Sequence, residues 1–139
     1  MPESPSIEPP RIIATFRYRN AAAIIDCLTD TVGFTVHARY DTEDGKVGHA
    51  ELAYGSAMIM LGNMKPDAYG ELSGTPGEPG GKSLYIAVDD ADALFARVEA
   101  SGAKIEEGLT DRDYGSREFI CRDLEGNLWC FGTYWPKAS

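Results

Sequence analysis

Hydrophobic and polar positions fall into two similar runs. In the first, residues 11–19 (RIIATFRYR) alternate as a strand, with Ile13, Thr15 and Arg17 on one face and Ala14, Phe16 and Tyr18 on the other. Asn20 then stands as a helix N-cap before AAAIIDCLTDTV, where Ala21, Ile24, Ile25, Leu28 and Val32 recur at helical spacing and Gly33 supplies the stop. Residues 34–40, 46–54 and 57–61 read as three strands, joined by Asp44-Gly45 and Gly55-Ser56 turns. The second run repeats the order. A strand at 83–88 precedes a helix capped by Asp90, carrying Ala91, Leu94, Phe95 and Val98 on one face and ended by Gly102. Strands at 104–109, 117–122 and 127–133 follow, the last two joined by a turn at Asp123-Leu124-Glu125-Gly126. The closing strand has too few polar residues for a one-sided surface strand, so it is expected to be covered on both faces. Trp129 and Phe131, opposite Cys130, are expected to pack against the helices.

The two runs share one phase. Tyr18 and Val88, Asn20 and Asp90, Ile24 and Leu94, Leu28 and Val98, and Met60 and Cys130 are each 70 residues apart, and Gly33 and Gly102 are 69 apart. Cap, apolar stripe and stop in common phase point to a duplicated β-α-β-β-β unit, too long a period for a solenoid. The expected organisation is a tail at 1–10, a first module at 11–62, a linker at 63–82 and a second module at 83–135. The tail has prolines at 2, 5, 9 and 10. Five glycines and three prolines lead us to expect no regular element in the linker. Within it, "GGKS" at 80–83 begins a strand rather than a helix, which excludes a phosphate-binding loop.

Charge narrows the partners. The 139 residues carry a formal net charge of -9, whose field repels nucleic-acid backbones and anionic lipid. No apolar run is long enough to span a membrane, and residues 1–10 lack a signal peptide's basic and apolar regions. Cys27, Cys121 and Cys130 are odd in number and lack a C-x-x-C spacing, which suits reduced thiols and a cytoplasmic setting rather than disulfides or structural zinc.

Paired β-α-β-β-β halves, the opening RYRNAAAIIDCL and the ending RDLEGNLWCFGTY resemble the vicinal-oxygen-chelate superfamily, in its glyoxalase-like and bleomycin-resistance-like branch. The resemblance covers 11–134, and departs where Leu124 occupies the usual proline of the last turn. It implies an α+β fold whose two modules form a cup-shaped mixed sheet with helices outside and ligand inside. It also implies that metal-dependent members hold their ion, with His and Glu, at the positions of Ile13, Met60, Ser83 and Cys130. None of these is a His or a carboxylate, and a divalent cation needs three or four such donors. No metal and no cofactor are therefore expected.

Alternation then assigns a cup lining of Ile13, Thr15 and Arg17; Met58, Met60 and Gly62; Ser83, Tyr85 and Ala87; and Leu128, Cys130 and Gly132. Such a lining suits an amphipathic organic ligand, and the acidic surface favours a cationic one. Arg17 could instead clamp a ligand carboxylate or serve a structural ion pair. His49 and Glu51 could be a base with its orienting carboxylate, against the plainer reading of a solvated polar face on an edge strand; His37 has no evident partner. Cys130 reads as a small apolar filler rather than a nucleophile. The leading expectation is a metal-free small-molecule binder that sequesters a drug or toxic metabolite. The alternative is a lyase, isomerase or dioxygenase of the same superfamily, using a metal or His49 and Glu51. Exposed Tyr134 and Trp135 and an unpaired sheet edge lead us to expect a homodimer.

Overall fold

Two four-stranded mixed sheets carry the chain, and the phase of 70 seen in the sequence recurs in the parallel strand pair of each. The computed structural model describes residues 8–78 and 80–137, so most of the expected tail lies outside the described residues. The first module comprises β1 (Ala14–Tyr18), α1 (Ala21–Cys27) prolonged by a π-helical turn (Leu28–Val32), β2 (Thr35–Asp41), β3 (Val47–Tyr54) and β4 (Ala57–Asn63). After α2 (Ala68–Ser73) come β5 (Leu84–Ala87), α3 (Ala91–Ala100), β6 (Lys104–Asp111), β7 (Arg117–Arg122) and β8 (Leu128–Gly132). The sheet orders are β1-β4-β3-β2 and β5-β8-β7-β6, each with one parallel pair and two antiparallel ones. The fold is α+β, two β-α-β-β-β modules.

Registers of the parallel pairs superpose residue for residue. Ala14 pairs Ile59 and Thr15 pairs Met60, while Leu84 pairs Trp129 and Tyr85 pairs Cys130. The caps match as well: Asn20 Oδ1 accepts from the Ala23 N–H at 3.2 Å, and Asp90 Oδ1 from the Ala93 N–H at 3.0 Å. Gly33 and Gly102 end the helical segments at φ values of 106° and 85°, a region that side chains resist.

Two expectations need correction. The 63–82 linker is not without structure: β4 runs to Asn63, and α2 forms where Asp67 caps the Gly70 N–H at 2.8 Å. A local cap and an outside ion pair make a helix here that composition does not foretell. The first strand is also shorter than its alternation suggests, because only residues from Ala14 onward pair with β4; Ile12 is 93 % exposed and Ile13 precedes the strand.

The core joins the two modules. Trp129 stacks on Phe16 and Phe131, at 5.9 and 6.2 Å between centroids, and meets Phe34 edge-on at 6.2 Å. Around it pack Ile24 and Leu28 of the first helical segment, Leu52 and Leu61 of the first sheet, and Leu94 and Val98 of α3. Trp129 and Phe131 are thus buried, while Leu128 and Cys130 on the other face of β8 are only half-buried.

The last turn fastens this core. Asp123 Oδ2 accepts from the Tyr18 hydroxyl at 2.7 Å and the Trp129 indole N–H at 3.1 Å, and its Oδ1 accepts from the Glu125 and Asn127 N–H groups, both at 3.0 Å. Burial, with the Asp123 carboxylate beside it, pushes the Tyr18 hydroxyl's pKa up, so it remains a donor. Glu125 accepts the backbone N–H groups of Arg19 and Asn20 at 2.6 and 2.7 Å. Nearby, Gly77 lies so close to the Glu125 carbonyl that a side chain there would overlap it.

Asp123→Ala should leave the Tyr18 and Trp129 donors unpaired in the core, at a cost of about 1–3 kcal/mol for each buried group. Urea unfolding should show a lowered midpoint with an unchanged m-value, and Asp123→Asn should lose less.

Candidate functional site

Alternation along β1, β3 and β4 sends one set of side chains into the core and the other to the sheet's second face. Thr15, Met60 and Glu51 lie in one row across that face, and Arg17 stands beside Gly62 in another. There the chain opens a cleft of about 520 Å³, bounded by Thr15, Arg17, His49, Met60, Lys65 and Tyr69. The segment carrying α2 forms part of its wall. Asp67 holds Arg17 bidentately at 2.7 and 3.2 Å, the Tyr69 ring lies 4.6 Å from the guanidinium carbon, and the Tyr69 and Thr15 hydroxyls are 3.4 Å apart. The ion pair considered for Arg17 is formed, with Asp67. Its hydrogen bond to Arg17, with a second from the Gly70 N–H, holds the Asp67 carboxyl down at about 2.

His49 Nε2 lies 2.9 Å from Glu51 Oε2 on this face. Their strand is not an edge strand, because β2 pairs along its far side. A register shift between Val36 and Ala38 in that pairing brings His37 Nε2 within 4.0 Å of Glu51 Oε1, so His37 has a neighbour that sequence order conceals. His49 borders the cleft, so the pair has the geometry of an imidazole oriented by a carboxylate.

The second sheet presents different chemistry. Tyr85 and Cys130 are Cα partners, as are Ala87 and Gly132. Glu118, opposite Gly132 on β7, is 4 % exposed and was not singled out from the sequence. Arg112 Nε donates to it at 3.1 Å, the Tyr114 hydroxyl makes a short bond to it, and Cys130 Sγ lies 3.8 Å away. Burial alone would raise its pKa, but bonds from Tyr114, Ser116 and Arg112 outweigh that and keep it below the usual carboxylate range. The same bond pushes Tyr114 up to about 12. The signal available was a Glu in phase with Ile120 on the face opposite Phe119 and Cys121. Cys130 is pushed up to about 11, by burial and then by Glu118, so it stays a neutral thiol.

The predicted lining is therefore divided. Thr15, Arg17 and Met60 share the first cleft. Ser83 and Leu128 meet Thr15 and Arg17 in a second, of about 380 Å³, between the sheets. Tyr85 and Cys130 border neither, and neither do Ile13 and Met58.

This architecture of paired modules is one seen in known proteins. The family described as Glyoxalase/Bleomycin resistance protein/Dioxygenase superfamily matches residues 13–131, and the chain belongs to that superfamily. It is 31 % identical over 115 residues to an uncharacterized protein of Mycobacterium bovis, covering 81 % of this chain and 76 % of that one. Among solved structures, TioX from Micromonospora sp. ML1 superposes with a TM-score of 0.71 at 27 % identity, over 94 % of this chain and all of the other. TnmS3, an antibiotic binding protein from Streptomyces sp. CB03234, shares the fold at a TM-score of 0.66 and 21 % identity, covering 86 % and 90 % of the two chains.

The four positions to which the resemblance assigns metal ligands do not suit an ion. Ile13 and Met60 bring no hard donor, Ser83 is exposed just ahead of β5, and Cys130 is a single soft thiol. Among the described residues, no group of three or more His, Cys, Asp and Glu is placed to hold a metal ion.

Asp67 has a depressed folded pKa, so its contribution to stability is complete above its ordinary value of 3.8 and fades as pH falls towards about 2. Amide exchange in α2 should stay constant from neutral pH to about pH 4, after correction for intrinsic rates, and quicken below. Asp67→Asn should show the faster exchange at neutral pH.

Proposed function

We propose that this protein binds a small organic molecule without a metal, sequestering a drug or toxic metabolite rather than transforming it. The observation that carries the reading is the donor set: Ile13, Met60, Ser83 and Cys130 supply no cation site where the superfamily's metal enzymes need one. A binder needs no reacting group, only a shaped and largely apolar lining. Met60, Thr15 and the Tyr69 ring offer that, with Arg17 and Lys65 nearby. The antibiotic-binding description of TnmS3 supports the same class of function. The apolar lining suits an amphipathic ligand, and the net charge of -9 favours a cationic one, concentrated by the protein's own field.

A homodimer fits this reading. Met60 and Cys130 occupy equivalent positions in the two modules yet border no common cleft, so each sheet offers half a lining. A second copy can complete each half, with Tyr134 and Trp135, 46 % and 55 % exposed, available for the contact.

A second reading rests on His49 and Glu51, whose 2.9 Å contact on the cleft would let His49 act as a general base. Loss of turnover in His49→Gln with ligand affinity kept would favour it.

A thermal-shift screen of amphipathic amines and aromatic antibiotics, run with and without divalent metals, should find ligands that raise the unfolding midpoint equally in both conditions. Met60→Trp should fold and lose that shift, and sedimentation should give a species of about twice 15.1 kDa. A metal requirement for every ligand found, or stoichiometric metal retained through dialysis, would overturn the binder.

A further inference from the structure

Behind the second sheet lies another cavity, on the face away from Tyr85 and Cys130. Alternation along β8 sends Trp129 and Phe131 to this side, so the thickness of the sheet separates it from the proposed lining. Its volume is about 460 Å³, within the range of roughly 300–1,000 Å³ typical of small-molecule sites. The walls are Ile24 and Leu28 from the first helical segment, Val98 from α3, and Cys121, Trp129 and Phe131 from the sheet. All six are 6 % exposed or less and form the floor, while exposed Ser101, Gly102, Lys104 and Leu124 border the mouth, so the space is a cleft that opens to solvent over core residues.

Local sequence explains why the space is there. At the end of α3 the chain offers Ser101, Gly102 and Ala103, which have too little bulk to fill the gap. Across from them the helix widens into its π-helical turn, where the Gly33 and Phe34 N–H groups both reach the Leu28 carbonyl at 2.9 Å. One polar tie spans the two segments near the mouth, from Arg97 Nε to the Thr31 carbonyl at 3.1 Å. A concave, mostly apolar cleft of this size offers an occupant contacts on several sides at once.

The polar groups at its edge already have partners. Arg122 donates to the Gly126 carbonyl at 2.7 Å and approaches Glu106 at 3.5 Å, and the Asp123 carboxylate is held by Tyr18, Asn127 and Trp129. Lys104, largely exposed, also faces Glu106 at 3.5 Å. Burial raises the thiols of Cys27 and Cys121, the latter to about 11, so both walls stay uncharged at neutral pH. Among the described residues, each charged side chain at the rim thus already has a partner of opposite sign or a hydrogen bond, which leaves little to compensate the desolvation of an ion.

We infer that this cavity is a second ligand site, separate from the sheet faces of the proposed function, and that it takes a compact, uncharged, apolar organic molecule lying against Trp129. The site stands whether or not the metal-free binder reading survives.

Trp129 and Trp135 are the two tryptophans, so a Trp135→Phe protein leaves Trp129 as sole reporter inside the cavity wall. Titration with the neutral probe N-phenyl-1-naphthylamine should quench it saturably, one probe per chain, and raise the unfolding midpoint. Cys27→Phe, which fills the cavity, should weaken binding by about tenfold or more. Ala103→Leu should weaken it in the same direction and serves if the first variant does not fold. Met60→Phe, on the other sheet's far face, should leave it unchanged. Absence of saturable quenching, or quenching unmoved by both filling variants, or quenching abolished by Met60→Phe, would overturn the site.

Discussion

Two carboxylates in one tight turn hold the rest of the structure in place. Asp123 takes hydrogen bonds from its own turn, from Trp129 at the centre of the core and from Tyr18 at the end of the opposite module's first strand. Glu125 takes the two backbone N–H groups at which that strand gives way to helix. An ionised carboxylate accepts several bonds at once and those bonds are strong, so a few atoms fix the angle at which the second module meets the first. The aromatic stack of Phe16, Trp129 and Phe131 lies between the same two modules that this turn ties together.

Most of the fold was legible because the chain states it twice. A cap, an apolar stripe and a glycine stop are each weak signals, but their recurrence at offsets of 69 and 70 made the elements and the superfamily readable, and the parallel registers repeat the phase of 70. What could not be read depends on contacts between distant residues. The helix at Ala68–Ser73 is six residues long in a stretch rich in Gly and Pro, and it owes its place to Arg17, some fifty positions earlier. The neighbourhood of His37 and Glu51 depends on a register shift that no periodicity announces. Glu118 was passed over because a Glu on a strand reads as surface, whereas Arg112 and Tyr114 fold over it from the preceding turn.

The candidate site shows how far the two copies have drifted apart. Facing positions on the equivalent strands hold Thr15 and Met60 in one sheet and Tyr85 and Cys130 in the other. One sheet carries an imidazole beside a carboxylate, the other a buried carboxylate ringed by a guanidinium, a phenol and a thiol. A ligand held between two such faces would meet unlike surfaces and so have one preferred orientation, which a symmetric cup could not impose.

The turn at Asp123 also bears on how the duplicated halves can evolve. In the first copy the register puts Tyr54 where Asp123 stands, and the shorter Gly55-Ser56 turn that follows carries no carboxylate, so the first copy has no fastening of this kind to offer. Gly77 of the connecting segment is seated against that same turn, where no side chain fits. The copies have ceased to be interchangeable parts: each is adapted to one place in the chain order, and selection now acts on the joined pair. Recombination that reversed the halves, or imported one from a relative, would have to bring its own turn, its own connecting segment and its own receiving strand at once.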